Sequence, residues 1–193
     1  MKTVEPTLDT LFDSPVRARI LKLFLYNPEK WFESKTIAGK LSIGKSLVNK
    51  HLKNLEEIRF ISKKSASRGK LFKTNQDFDF YGELKMLAAK ISPVSKDKML
   101  ERIMGLGKIK LAAISGIFID FDGARADLML VGDNIKISKF NKFLSDLEAE
   151  AGKEINCALM TIKEFNYRYD MYDRFIRDML EFKHEKLINK LKI

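Results

Sequence analysis

Residues 34–57, SKTIAGKLSIGKSLVNKHLKNLEE, restrict the fold of this chain more than any other stretch. Two segments with apolar residues at helical spacing are separated only by Ser42-Ile43-Gly44, which reads as a tight turn. Ser34 is placed to cap the first helix, which carries Ile37, Ala38 and Leu41. The second runs from about Lys45 to Glu57. On it Val48, Leu52 and Leu55 form one stripe, with Leu47 and His51 beside it, while Ser46, Asn49, Lys50 and Lys53 lie on the opposite side. Upstream, Asp13-Ser14-Pro15 starts another helix: a capping oxygen precedes a proline whose missing N–H costs nothing in a first turn. Ile20, Leu21, Phe24 and Leu25 follow at helical spacing, and Asn27-Pro28 stops that helix. Trp31-Phe32 is a short extended pair, with Trp31 expected in the core. Downstream, Phe60-Ile61 and Leu71-Phe72 flank the polar tip SASRG, residues 65–69, as in a hairpin with a basic loop.

Charge follows the same segment. Residues 30–75 hold twelve Lys and Arg against Glu33, Glu56 and Glu57, a net +9 out of +10 for all 193 residues. A solvated face usually mixes signs, so a one-sign block within a folded segment favours a polyanion partner. His51 reads as a packed, neutral residue at the edge of the core, since no Cys or second His sits at metal spacing.

Helix, short strand, helix, turn, helix, hairpin is the order of a winged helix-turn-helix. Through SPVRARILKLFL, IAGKLSIGKSLVNKHLKNLEE and the basic hairpin, residues 11–75 resemble the winged-helix domains of bacterial and archaeal transcription regulators. The resemblance implies double-stranded DNA as partner, with Lys45, Ser46, Asn49, Lys50 and Lys53 toward the major groove and Lys63, Lys64, Arg68 and Lys70 on phosphate. Such sequences often end the third helix with glycine, and this one has Arg59 there. A left-handed Arg59 costs about 1 kcal/mol relative to glycine, which leaves a different ending open.

Beyond residue 78 the pattern changes. DFYGELKMLAAKI is an amphipathic linker helix, interrupted at Ser92-Pro93. The expected division is therefore 1–78, a linker at 79–92, and 93–193, where the net charge is only +2. Helix continues over Asp97 to Met104. Three apolar strands follow near 110–115, 127–131 and 155–160, with a helix from about Ile137 to Glu150 before the last. Helical pattern then returns over 163–169, 172–181 and 184–191. Phe165, Tyr167, Tyr169 and Tyr172 are expected to pack against the sheet, and Met171, Phe175, Ile176, Met179 and Leu180 to form an apolar helix face.

Through AAISG, ADLMLVGD and MYDRFIRDMLE, residues 107–182 resemble a minimal nucleotidyltransferase domain, a mixed sheet with flanking helices. Nucleotidyl transfer uses carboxylates on neighbouring strand positions to hold Mg²⁺ against a triphosphate. Mapped residue by residue, the turn is Ser115-Gly116 in inverted order, Arg125 stands at the first aspartate position, and Asp127 alone remains of the pair. A guanidinium repels the ion that a carboxylate there holds. Asp127 is expected to be structural, paired with Arg125 or capping a turn, and a site rebuilt from Asp120 or Asp122 stays open.

The sequence thus reads as an α+β protein: a DNA-binding regulator, cytoplasmic and homodimeric, with no cofactor, metal, catalytic residue or membrane partner. Its second domain serves dimerisation or senses an unassigned small molecule or nucleotide. An active nucleotidyltransferase acting on a protein or nucleic acid is the alternative. An RNA- or protein-binding adaptor fits the charge, but fits the helix-turn-helix spacing less well.

Overall fold

A computed structural model describes residues 12, 14–67, 69–90 and 94–193. Among them the chain is a mixed α and β protein with two sheets. Its contacts divide it into two compact units, Met1–Pro93 with Asp146–Glu154, and Val94–Ser145 with Ile155–Ile193. No described helix is long and apolar enough to cross a membrane.

In the first unit, α1 (Pro15–Tyr26) begins where Ser14 Oγ accepts the amide of Arg17 at 3.3 Å, with Pro15 at its first position. Strand β1 (Phe32–Glu33) runs directly into α2 (Ser34–Leu41). Glu33 is therefore the N-cap, and Ser34 lies inside the helix and caps nothing. Ser42 takes the left-handed conformation (φ 53°) that closes α2 before α3 (Lys45–Glu57). That third helix ends through Arg59, which is left-handed at φ 61°. The amides of Arg59 and Phe60 reach back to the carbonyls of Glu56 and Leu55, both at 2.9 Å, and Phe60 and Leu55 are buried. Two satisfied carbonyls and this apolar contact offset the roughly 1 kcal/mol that a Cβ costs at such a position.

Strands β2 (Ile61–Ala66) and β3 (Gly69–Thr74) form an antiparallel hairpin, and β1 adds to β3 in the order β1-β3-β2. Thr74, buried, donates its hydroxyl to the Phe24 carbonyl at 2.8 Å and ties the hairpin base to α1. The core gathers Ile20, Phe24, Ile37, Leu41, Val48, Leu52, Leu55 and Phe60, and α4 (Tyr81–Lys90) packs against α1. Trp31 is outside this core. Strand alternation sends Phe32 inward, edge-on to Phe24 at 5.9 Å, and leaves Trp31 37% exposed.

The second unit comprises α5 (Lys96–Met104), β4 (Lys108–Ile114), β5 (Leu128–Asp133), the part of α6 (Ile137–Ala151) up to Ser145, β6 (Cys157–Met160), α7 (Ile162–Asp170), α8 (Arg174–Glu181) and β7 (Glu185–Asn189). Its sheet has the order β6-β5-β4-β7. Strands β5 and β6 are parallel with α6 between them, and the other pairs are antiparallel. Leu111, Ala113, Met129 and Val131 meet Phe165, Ile176 and Met179, so α7 and α8 cover one face. Ala112, Ile114, Leu128 and Leu130, which alternate with them, are equally buried.

Three expectations fail here. Residues 184–191 are not a helix: β7 pairs along β4, Ala112 opposite Ile188 and Ile114 opposite Glu185. The open edge of β4 overrides the helical reading of a short mixed run. Of the aromatic run only Phe165 is buried; Tyr167 and Tyr172 are exposed, and Tyr169, also exposed, stacks on Phe165 at 5.8 Å. Met171 is likewise exposed, because α8 starts later, with Asp173 as cap accepting the amide of Ile176 at 3.1 Å.

Candidate functional site

Two places concentrate the residues singled out by sequence, one in each unit. In the first unit, Lys45, Asn49, Lys53 and Glu57 follow one another four apart on α3 and share a face. That face, the inner side of the hairpin at Lys63, Gly69 and Lys70, and the start of α2 at Glu33, Ser34 and Lys35 enclose a groove of about 870 Å³. Leu52 and Phe72 also line it. Register explains the hairpin's contribution: Lys63 stands opposite Phe72 and Ser65 opposite Lys70, so the side that buries Phe72 near the base presents lysines toward the tip.

The groove is basic, but its lysines are not equivalent. Lys63 forms an ion pair with Glu56, both side chains about one-third exposed. Lys53 pairs with Glu57 one turn along α3 at 3.8 Å, an exposed contact worth about 0.3–0.5 kcal/mol. Lys45 and Lys70 have no ion pair among the described residues. Ser46 and Lys50 are exposed on α3 but do not line the groove, and neither does Lys64. The ammonium of Lys64 lies 4.1 Å from the centroid of the Trp31 ring. Arg68 is outside the described residues. His51 is half-buried behind the exposed face of α3. Burial first, then the charges of Arg17 and Lys50, hold its imidazole below the usual value, which keeps it neutral at pH 7.

In the second unit the polar corner is built around Asp127. Gly116 is left-handed (φ 53°), and a Cβ there would lie 2.0 Å from Asp127 Oδ1. That oxygen accepts the amide of Ile117 at 3.0 Å, and Oδ2 accepts the amide of Asn156 at 2.9 Å. Asn156 in turn donates from its side chain to the Arg125 carbonyl at 2.8 Å. Asp127 thus clamps the turn after β4 to the segment before β6. Ser115 is buried, and its hydroxyl donates to the Lys183 carbonyl at 2.7 Å. Arg125 does not pair with Asp127. Its Nε meets Asp178 Oδ2 at 2.7 Å, and Asp178 is buried on α8. Cys157, beside this corner, has its thiol pushed up to about 12 by burial and then by the Asp127 charge, so it stays protonated at neutral pH. Asp120 and Asp122 are exposed in the loop before β5. Among the described residues no three His, Cys, Asp or Glu side chains gather as a metal site.

No protein-family model, curated protein or solved structure matches the chain.

Sequence reasoning missed Lys35 and the three groove carboxylates, Glu33, Glu56 and Glu57, as members of the first site, and Asn156 and Asp178 as partners in the second. For the groove a signal existed: continuing the four-residue step from Lys45, Asn49 and Lys53 reaches Glu57, with Glu56 beside it. For Asn156 and Asp178 none did, since each bond spans dozens of residues.

Proposed function

We propose that the first unit is a winged helix-turn-helix that binds double-stranded DNA with sequence preference, and that the protein is a transcriptional regulator. The observation that carries this reading is the placement of Lys45, Asn49 and Lys53 on one exposed face of α3, across a groove from a hairpin bearing Lys63 and Lys70. A helix of this kind can present Asn49 and Lys50 to base edges in a major groove, where amide and ammonium groups discriminate between bases. A basic hairpin beside it supplies phosphate contacts, which add affinity without sequence information. We read the second unit as nucleotidyltransferase-like and without transfer activity, serving dimerisation or ligand sensing. Supporting this are Asp127, whose oxygens both accept backbone amides, and Arg125, held by Asp178.

The test is affinity for duplexes selected from a random pool and for scrambled duplexes, at several salt concentrations. Asn49→Ala or Lys50→Ala should cost about 1–3 kcal/mol on the selected duplex and much less on the scrambled one. Lys70→Ala should weaken both alike and lower the salt slope by about one unit. Equal losses on both duplexes for all three variants would remove base reading by α3, and with it the regulator assignment.

A further inference from the structure

We infer that Glu56 sets the strength of the groove for nucleic acid by withholding Lys63 from phosphate. The inference rests on the DNA-binding reading above and adds an internal competitor to it.

Of the groove's three acidic residues, Glu33 lies at the start of α2 and the other two are adjacent on α3. Glu56 and Glu57 continue the face of α3 that carries Lys45, Asn49 and Lys53, so two carboxylates sit at its C-terminal end, opposite the hairpin. Each has taken a lysine: Lys63 from the hairpin and Lys53 from α3 itself. The first pair joins two elements and is only about one-third exposed. It is therefore less screened than the pair on the α3 surface, whose side chains are mostly in solvent. A phosphate entering this end must exchange the Lys63–Glu56 pair for a Lys63–phosphate pair and leave a bare carboxylate beside the strand. Lys45 and Lys70 carry no such obligation among the described residues. The cations that bind a backbone are then those at the other end of α3 and toward the hairpin tip, and Lys63 contributes little to counterion release. The effect is independent of sequence, since nothing in it touches a base.

The experiment uses the full chain and a random-sequence duplex of twenty base pairs, titrated by filter binding between 0.05 and 0.3 M salt. One additional phosphate contact adds about 0.9 to the salt slope, which at 0.1 M salt is roughly an eightfold gain in affinity. Glu56→Gln, which keeps the shape and removes the charge, should bind tighter by up to that factor with a slope steeper by about one. In a Lys63→Met background the same change should have no effect, because the gain acts through Lys63. Glu57→Gln should move affinity in the same direction and by less. An unchanged slope in Glu56→Gln, weaker binding, or a gain that persists in Lys63→Met overturns the inference while leaving the DNA reading in place. Failure of the unsubstituted chain to bind the duplex at 0.05 M salt overturns both.

Discussion

The α3–hairpin groove and the Asp127 corner are both polar, and they differ in where their polar atoms are committed. At the corner the partners are within the fold: the Asp127 carboxylate holds two amides, Ser115 a carbonyl and Arg125 a buried carboxylate. In the groove Lys45, Asn49 and Lys70 hold no side-chain partner among the described residues, and the two lysines that are paired meet glutamates that are themselves partly exposed. A polar side chain is available to a ligand to the extent that the fold has no prior use for it. Residue type alone, an Asp beside a Ser-Gly turn, does not distinguish these cases.

The sharpest way to break this contrast is at Asp127. Asp127→Ala leaves the amides of Ile117 and Asn156 without their acceptor and should destabilise the chain by about 2–3 kcal/mol in urea unfolding. Lys45→Ala and Lys70→Ala should stay within about 0.5 kcal/mol of the parent in the same measurement. A lysine variant as costly as Asp127→Ala would show that the groove, too, is structural.

A smaller effect separates two of the left-handed positions, Gly116 and Arg59. At Gly116 a side chain has no room, because the carboxylate of Asp127 occupies it. At Arg59 the side chain is exposed, and only backbone preference opposes it. Arg59→Gly should therefore raise stability by about 0.5–1 kcal/mol, read as an upward shift of the urea midpoint with an unchanged slope.

The smallest effect is in pH. The folded state holds His51 neutral, with its pKa below that of the unfolded chain. As pH falls through about 6.5 the unfolded chain binds a proton first, so this contribution is present above that pH and is lost on acidification. Between pH 7.5 and 5.5 the melting temperature should fall, and by less in His51→Gln. Identical falls in both proteins would assign the acid sensitivity to other groups.

Much of this architecture is legible in the sequence. Helix α3 begins and ends where the stripe of Val48, Leu52 and Leu55 and the turn at Ser42-Ile43-Gly44 place it, and the hairpin follows from two apolar pairs around a polar tip. These signals are local, carried by residues within a few turns of one another. What escaped depends on distant neighbours. Residues 185–189 are a strand because β4 offers an edge more than seventy residues upstream. The choice between Trp31 and Phe32 for the core turns on which side of β1 faces Phe24. The groove was half legible: its lysines stand out by charge, but their division into paired and unpaired depends on how the hairpin folds back over Glu56.

The contact between Lys64 and Trp31 has a consequence of another kind. Trp31 is the chain's one tryptophan, and it lies under a cation of the hairpin, at the margin of the proposed binding face. Its indole emission, excited beyond the tyrosine band, is thus a built-in spectroscopic gauge with no second indole to mix with it. Drawing the Lys64 ammonium toward a phosphate changes the field at the ring, and so the wavelength and yield of that emission. Occupancy of the hairpin is accordingly an optical property of the unlabelled chain, readable at millisecond resolution in a stopped-flow mixing experiment.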